Sequence, residues 1–223
     1  LLAALPPDVL AGLLPKLSPF ALTMRRPIYK PEDPIDAVYF PQSGMFSLVA
    51  VLEDGTHAEV GLIGREGMLG ISLLSGIDTP YIESMVQMPG TALRMAVRDF
   101  LHEMDANPPF RALILRYNEA LQAQIMQTAA CNGRHALEQR FARWLLMARD
   151  RADGDALPLT QEFLAMMLGV RRPSITVTAG ILQRAGLIRY SGGRVTILDR
   201  ASLEAASCEC YATVRRRYVI LLG

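Results

Sequence analysis

Thr160-Gln-Glu-Phe-Leu-Ala-Met-Met-Leu-Gly-Val-Arg-Arg-Pro-Ser-Ile-Thr-Val-Thr-Ala-Gly-Ile-Leu-Gln-Arg184 decides the fold. Thr160 is a natural N-cap for a short helix over Leu159 to Leu168, and Gly169 ends it. Pro173 suits the first turn of a second helix, whose inner face holds Ile175, Ala179 and Leu182. Ala165 and Gly169 are small enough for the two helices to cross closely, with Val170 as an apolar plug between them. Helix, tight glycine turn, helix is a helix-turn-helix. The chain then reads Ala185-Gly-Leu-Ile-Arg-Tyr-Ser-Gly-Gly-Arg-Val-Thr-Ile197, two β-like runs joined through Ser191-Gly192-Gly193, which predicts the hairpin of a wing.

Moving towards the N-terminus, residues 134–158 contain a second amphipathic helix marked by Leu137, Phe141, Trp144, Leu145 and Ala148, ending near the turn Ala152-Asp-Gly-Asp155. Before it, Phe110, Leu113, Ile114, Tyr117, Leu121, Ile125 and Thr128 recur at three- and four-residue steps, predicting a helix of about 20 residues that Asn132-Gly133 breaks. That stripe needs a partner. A second copy, as in a parallel coiled coil, is favoured over packing on the chain's own N-terminal part.

The first 107 residues read differently. After an amphipathic opening around Pro7 to Leu17, short apolar runs alternate with Pro and Gly. Ala37 to Pro41, Met45 to Leu52 and His57 to Ile63 are strands, with a hairpin turn at Glu53-Asp-Gly-Thr56; Tyr81 to Gln87 and Thr91 to Met95 form a further pair. Such spacing means a sandwich, barrel or jelly roll. Glycines 61, 64, 67 and 70 lack the Gly-Lys-Ser/Thr ending of a phosphate loop and are expected to be turn glycines.

Composition bounds the function. The 223 residues are 51% hydrophobic and 20% charged, enough for a sizeable core, and no apolar run approaches the roughly 20 residues of a membrane span. Leu1 to Leu5 meets Pro6-Pro7 without a basic flank, so no export signal is expected, and a cytoplasmic location follows. Residues 1–107 carry 7 Lys and Arg against 13 Asp and Glu, net −6; the remaining residues carry 16 against 9, net +7. A basic C-terminal half points to nucleic acid. No nucleophile, base and acid form a recognisable set, so the chain is not expected to be an enzyme. Cys131, Cys208 and Cys210 are expected to be free thiols in a reducing compartment, and no metal site is expected, because Cys208-x-Cys210 has no second pair at zinc spacing. The histidines, His57, His102 and His135, are scattered and read as structural, and the eleven methionines as core filler. Arg215-Arg-Arg217 reads as a solvated face of a final helix over Ser202 to Leu222.

From Thr160 to Val170 and on through Leu187-Ile-Arg-Tyr190, the chain resembles the winged helix of the Crp/Fnr transcriptional regulators, and the order of parts before it also matches. The resemblance implies an α+β fold: a jelly roll similar to cyclic-nucleotide-binding domains over 1–107, a dimerisation helix over 108–133, and a winged helix-turn-helix DNA-binding domain over 134–223. It implies a homodimer on double-stranded DNA, with RNA polymerase a further candidate partner and no membrane. Alignment with the family places Arg172, Pro173, Ser174, Thr176 and Val177 towards bases. Arg172 can offer a bidentate fork to guanine, Ser174 and Thr176 can bond base edges or phosphates, and Val177 can touch a thymine methyl. Arg171, Arg189 and Arg194 suit phosphates. Better-known members carry Glu at the position of Pro173 and Arg at that of Val177. The family's cyclic-nucleotide sensors use Gly-Glu-Leu and Arg-Ser/Thr-Ala, whereas this chain reads Gly70-Ile71-Ser72 and Pro80-Tyr81-Ile82. Without the cation and the acceptor, neither cyclic AMP nor cyclic GMP is expected to bind, and any effector pocket at Gly70, Ile71, Ser72, Pro80 and Tyr81 would take something else. The sequence is also compatible with two alternatives: a winged helix used for protein interaction, and a small-molecule sensor with a polar pocket around Gly61 to Tyr81.

Overall fold

Runs of β-branched and aromatic residues make the N-terminal strands, and burial on both faces explains why they read as near-continuous apolar stretches. The computed structural model describes residues 1–223. It opens with α1 (Pro7–Leu13) and continues through β1 (Leu17–Leu22), β2 (Pro27–Tyr29), β3 (Ala37–Pro41), β4 (Met45–Val51), β5 (His57–Ile63), β6 (Glu83–Met88) and β7 (Gly90–Ala96). Two antiparallel sheets result, ordered β1-β7-β3 and β2-β6-β4-β5. Every residue of β3 is buried. The predicted hairpin forms between β4 and β5, with Gly55 at φ 78° closing the turn. β1 and β2 were not foreseen: Pro19 and Pro27 interrupt their patterns, and both strands sit at sheet edges.

Helices take over with α2 (Val97–Ala106) and α3 (Pro108–Arg134). The Asn107 side chain caps α3 by accepting from the Phe110 N–H at 3.2 Å. α3 has 27 residues and passes through Asn132-Gly133 without a break; His135, in extended conformation, ends it. An isolated glycine costs a helix only about 1 kcal/mol, too little by itself to end one. The expected breaker is therefore inside the helix.

The C-terminal part comprises α4 (Leu137–Arg149), β8 (Ala156–Pro158), α5 (Gln161–Leu168), α6 (Arg172–Arg184), β9 (Ile188–Ser191), β10 (Arg194–Ile197), α7 (Arg200–Ala206) and α8 (Cys210–Leu222). The expected final helix is thus two helices parted at Ser207–Glu209, and α8 lies along α3 instead of turning to the wing: Gln127 of α3 meets Cys210, and Leu222 reaches the core of the sandwich. Arg215, Arg216 and Arg217 are exposed on it, as expected.

Packing settles what the stripe on α3 faces. Phe110, Leu113, Ile114, Tyr117 and Leu121 are at most 1% exposed, in one core with Phe40, Met68 and Phe100 of the same chain, and Ile125 and Thr128 are half-buried. The stripe assigned to a second copy is therefore covered by the chain's own sandwich and by α8. Periodicity shows that a helix face is buried, not what buries it. Among the four glycines, only Gly70 has a positive φ, 112°. Gly64 and Gly67 bracket a turn, closed by the Gly67 N–H donating to the Gly64 carbonyl at 2.9 Å, and a Cβ on Gly67 would also stand 2.5 Å from the Tyr117 hydroxyl and 2.6 Å from its ring, so the close approach of α3 adds to the need for glycine there.

Candidate nucleic-acid interface

The helix-turn-helix is built as its sequence predicts. Thr160 Oγ1 accepts the Phe163 N–H at 3.2 Å, and Gly169, at φ 62°, takes the left-handed conformation that ends α5. Val170 N–H returns to the Ala165 carbonyl at 2.9 Å. Ile175, Ala179 and Leu182 face inward beside Leu164 and Leu168, which leaves Arg172, Pro173, Thr176, Val177, Ile181 and Arg184 on the open side of α6. Four of the five residues expected to face bases are in this stripe, and the apolar Val177 is 62% exposed. Ser174 is half-buried, at the margin of the same face.

Positive charge surrounds the stripe. Arg171, at the N-cap of α6, and Arg189 and Arg194, on the wing strands, are all exposed. The wing is a three-stranded sheet ordered β8-β10-β9; β8 went unforeseen because it has only three residues and includes a proline. The Gln183 side chain accepts the Tyr190 N–H at 2.7 Å and so fixes the wing relative to α6. Between them opens a polar cleft of about 430 Å³ lined by Gln161, Glu162, Arg172, Tyr190 and the Ser191-Gly-Gly193 turn.

Two α5 side chains that the sequence reading did not single out control the key arginine. Glu162 Oε1 is 3.0 Å from Arg172 Nε, and Gln161 Oε1 accepts from Arg172 Nε at 3.4 Å and from Thr176 Oγ1 at 2.9 Å. Both members of the ion pair are well exposed, so it is weak and can yield to a ligand. Proximity of α5 to α6 in any helix-turn-helix is the signal that could have found it.

The expected effector residues also converge. Gly70, Ile71, Ser72, Pro80 and Tyr81 all line one cavity of about 70 Å³, closed by Tyr29, Leu48, Ile82 and, from α3, Leu121 and Ile125. Ten of its fourteen lining residues are hydrophobic and none is charged. This cavity is apolar; the polar groups of the same stretch, Arg65 and Glu66, line a separate pocket of about 180 Å³ together with Asp150, Arg151 and Tyr211.

A buried polar seam joins the two halves. Arg151, only 7% exposed at its side chain, donates to Glu66 Oε1 (2.7 Å), the Met147 carbonyl (2.9 Å) and Gln124 Oε1 (3.0 Å), and Gln124 donates onward to the Leu62 carbonyl (2.9 Å). Beside it, Glu59 accepts from Ser47 (2.5 Å) and Trp144 (2.6 Å). Burial pushes the Glu59 carboxyl up to about 7 even though both hydrogen bonds and the charges of Arg151 and Arg143 oppose the rise.

Comparison with known proteins agrees with both halves. Residues 21–107 match the cyclic nucleotide-binding domain family and residues 139–206 the Crp-like helix-turn-helix domain family. The chain is 26% identical over 182 residues to the Global nitrogen regulator of Nostoc sp. (strain PCC 7120), covering 76% of this chain and 80% of that protein. It is 26% identical over 188 residues to the nitrogen fixation regulation protein FixK of Bradyrhizobium diazoefficiens, covering 80% and 77%. In fold it is similar to the structure of FixK2 from Bradyrhizobium japonicum, with a TM-score of 0.73 at 15% identity over 86% of this chain and 98% of that one. No helix is long and apolar enough to cross a membrane.

Proposed function

The chain belongs to the Crp/Fnr family of DNA-binding transcriptional regulators, and from that premise we propose that it acts as a homodimer that reads a two-fold-related operator without responding to cyclic nucleotides. The observation that carries the reading is the open stripe Arg172, Pro173, Thr176 and Val177 on α6, flanked by Arg171, Arg189 and Arg194. A guanidinium, a hydroxyl and two apolar groups on one helix face match what the major groove offers, and the flanking arginines match phosphates. Ser174 contributes from the margin of this face.

The dimer seam we propose is the exposed side of α3. Ala112, Leu115, Glu119, Gln122, Met126, Ala129 and Gly133 follow one another at alternating steps of three and four residues, the spacing of a coiled-coil seam. All seven are solvent-facing, with Leu115 45% and Met126 62% exposed, and Val219 and Ile220 on the neighbouring α8 are exposed as well. A second copy would cover this apolar surface.

The small, uncharged cavity supports indifference to cyclic nucleotides, since a phosphate buried there would lack a counter-charge. Leu121 and Ile125 carry any change in that cavity directly to α3, and thereby to the spacing of two recognition helices. RNA polymerase is a further partner on this reading, met beside the operator. Repeated selection from a random pool of duplexes tests the proposal: inverted half-sites about one helical turn apart are expected, and enrichment of single, unpaired sites would count against the dimer.

A further inference from the structure

Cys131, His135, Cys208 and Cys210 bring one ligand atom each to within 4.8 Å of one another. The four come from two places far apart in sequence. Cys131 lies in the last turn of α3, and His135, four residues later, is the residue that stops that helix; Cys208 lies in the turn after α7, and Cys210 begins α8. All three thiols are buried, and the His135 side chain is 20% exposed.

The distances suit a tetrahedral cation. Cys131 Sγ is 3.5 Å from Cys208 Sγ, and Cys210 Sγ is 3.5 Å from His135 Nδ1, two edges that share no atom. Bond lengths of about 2.3 Å from zinc to sulfur and about 2.0 Å to nitrogen give tetrahedral edges of about 3.8 Å and 3.5 Å. A disulfide would use only two of the four groups and bring its sulfurs to about 2 Å.

The surroundings point the same way. His135 turns Nδ1 to the cluster and sets Nε2 3.3 Å from Glu209 Oε1, the carboxylate–histidine arrangement that orients a metal-bound imidazole. Gln127 Nε2 donates to Cys210 Sγ at 3.0 Å, as expected around a thiolate. Three thiolates and a divalent cation leave one net negative charge, and Arg140 and Arg143 are close enough to Cys131 for their charges to act on it.

We propose that Cys131, His135, Cys208 and Cys210 form a closed structural site for one thiophilic divalent cation of the zinc class. All four positions are filled by protein, so the site fastens and does not catalyse. It staples the start of α8 to the end of α3, the junction from which the DNA-binding half departs, and so couples cation supply and thiol oxidation to the geometry of that junction.

The test uses the full chain, purified under reducing conditions. Elemental analysis is expected to find about one zinc per chain, released when the thiols are blocked by a mercurial. Cobalt(II) added to chelator-stripped protein is expected to give the intense visible bands and sulfur-to-metal charge transfer of a tetrahedral thiolate site. Cys210→Ser should abolish that spectrum, and Glu209→Gln should weaken zinc in a chelator competition by about tenfold while leaving the tetrahedral spectrum in place. If Cys210→Ser fails to fold, the cobalt spectrum of the unmodified chain decides by itself. Absence of zinc together with a weak octahedral cobalt spectrum, or a Cys131–Cys208 disulfide in metal-free protein as isolated, would overturn the proposal.

Discussion

Trp144 donates its indole Nε1–H to the Glu59 carboxylate at 2.6 Å, a hydrogen bond that crosses, like that of Arg151 to Glu66, from the DNA-binding half to the β-sandwich. It sits beside a core in which Met45, Val49, Leu62 and Met88 of the sandwich pack with Phe163, Leu164 and Met167 of the helix-turn-helix. The recognition unit is therefore seated on the sensor-like domain through an apolar contact with an acid at its centre.

That acid makes the contact sensitive to pH. The Glu59 carboxyl titrates near 7 when buried, against an ordinary value of 4.5. The folded state thus keeps a proton that the unfolded state releases, so stability falls as pH rises from about 4.5 to 7 and levels off above that. The difference corresponds to about 3 kcal/mol. Thermal melts should show this slope in the native protein, and Glu59→Gln should flatten it; an unchanged slope in the variant would mean that another group titrates.

Gly67→Ala should destabilise the fold by about 1–3 kcal/mol, because the new methyl would meet the Tyr117 hydroxyl at 2.5 Å and its ring at 2.6 Å. Tyr117 is fully buried and donates its hydroxyl to the Met68 carbonyl at 3.0 Å, so it has little room to retreat. Pairing the change with Tyr117→Leu should restore part of the loss in denaturant titrations.

The two faces of α3 should respond differently to substitution. Leu115→Glu combined with Met126→Glu places charge on the exposed seam and should yield a stable monomer in sedimentation. Ile114→Ala empties a fully buried position and should cost about 2–5 kcal/mol without changing association. Dimers that survive the double glutamate change would move the interface elsewhere.

Glu162 restrains Arg172 and also presents a negative charge to an incoming phosphate. Glu162→Gln should therefore tighten DNA binding by up to about fivefold, the equivalent of about 1 kcal/mol for an exposed pair. The gain should shrink at high salt.

Local chemistry made the helix-turn-helix legible. Thr160 as a cap, Gly169 as a stop and Ser191-Gly192-Gly193 as a wing turn each act within a few residues, and each stands where expected. The strands Ala37–Pro41 and His57–Ile63 were legible for the same reason. The target of the α3 stripe was not, because Phe110 and Tyr117 read the same whether a sandwich or a second helix covers them. Nor could spacing reveal the cysteine–histidine cluster: Cys131 and Cys208 are 77 residues apart, and only the return of α8 along α3 brings them together. The proposed seam through Ala112, Glu119, Gln122 and Gly133 gives no apolar signal in the sequence, since its residues are small or polar.

The open face of α6 is expected to read DNA sequence. The most direct test is a fluorescence-anisotropy titration of native and Arg172→Ala protein against a selected duplex and its scrambled counterpart, at low and moderate salt. The native protein should prefer the selected duplex, and Arg172→Ala should lose about 1–3 kcal/mol of that preference while keeping most of its salt-dependent, non-specific binding. Equal loss on both duplexes, or no loss on either, would contradict it.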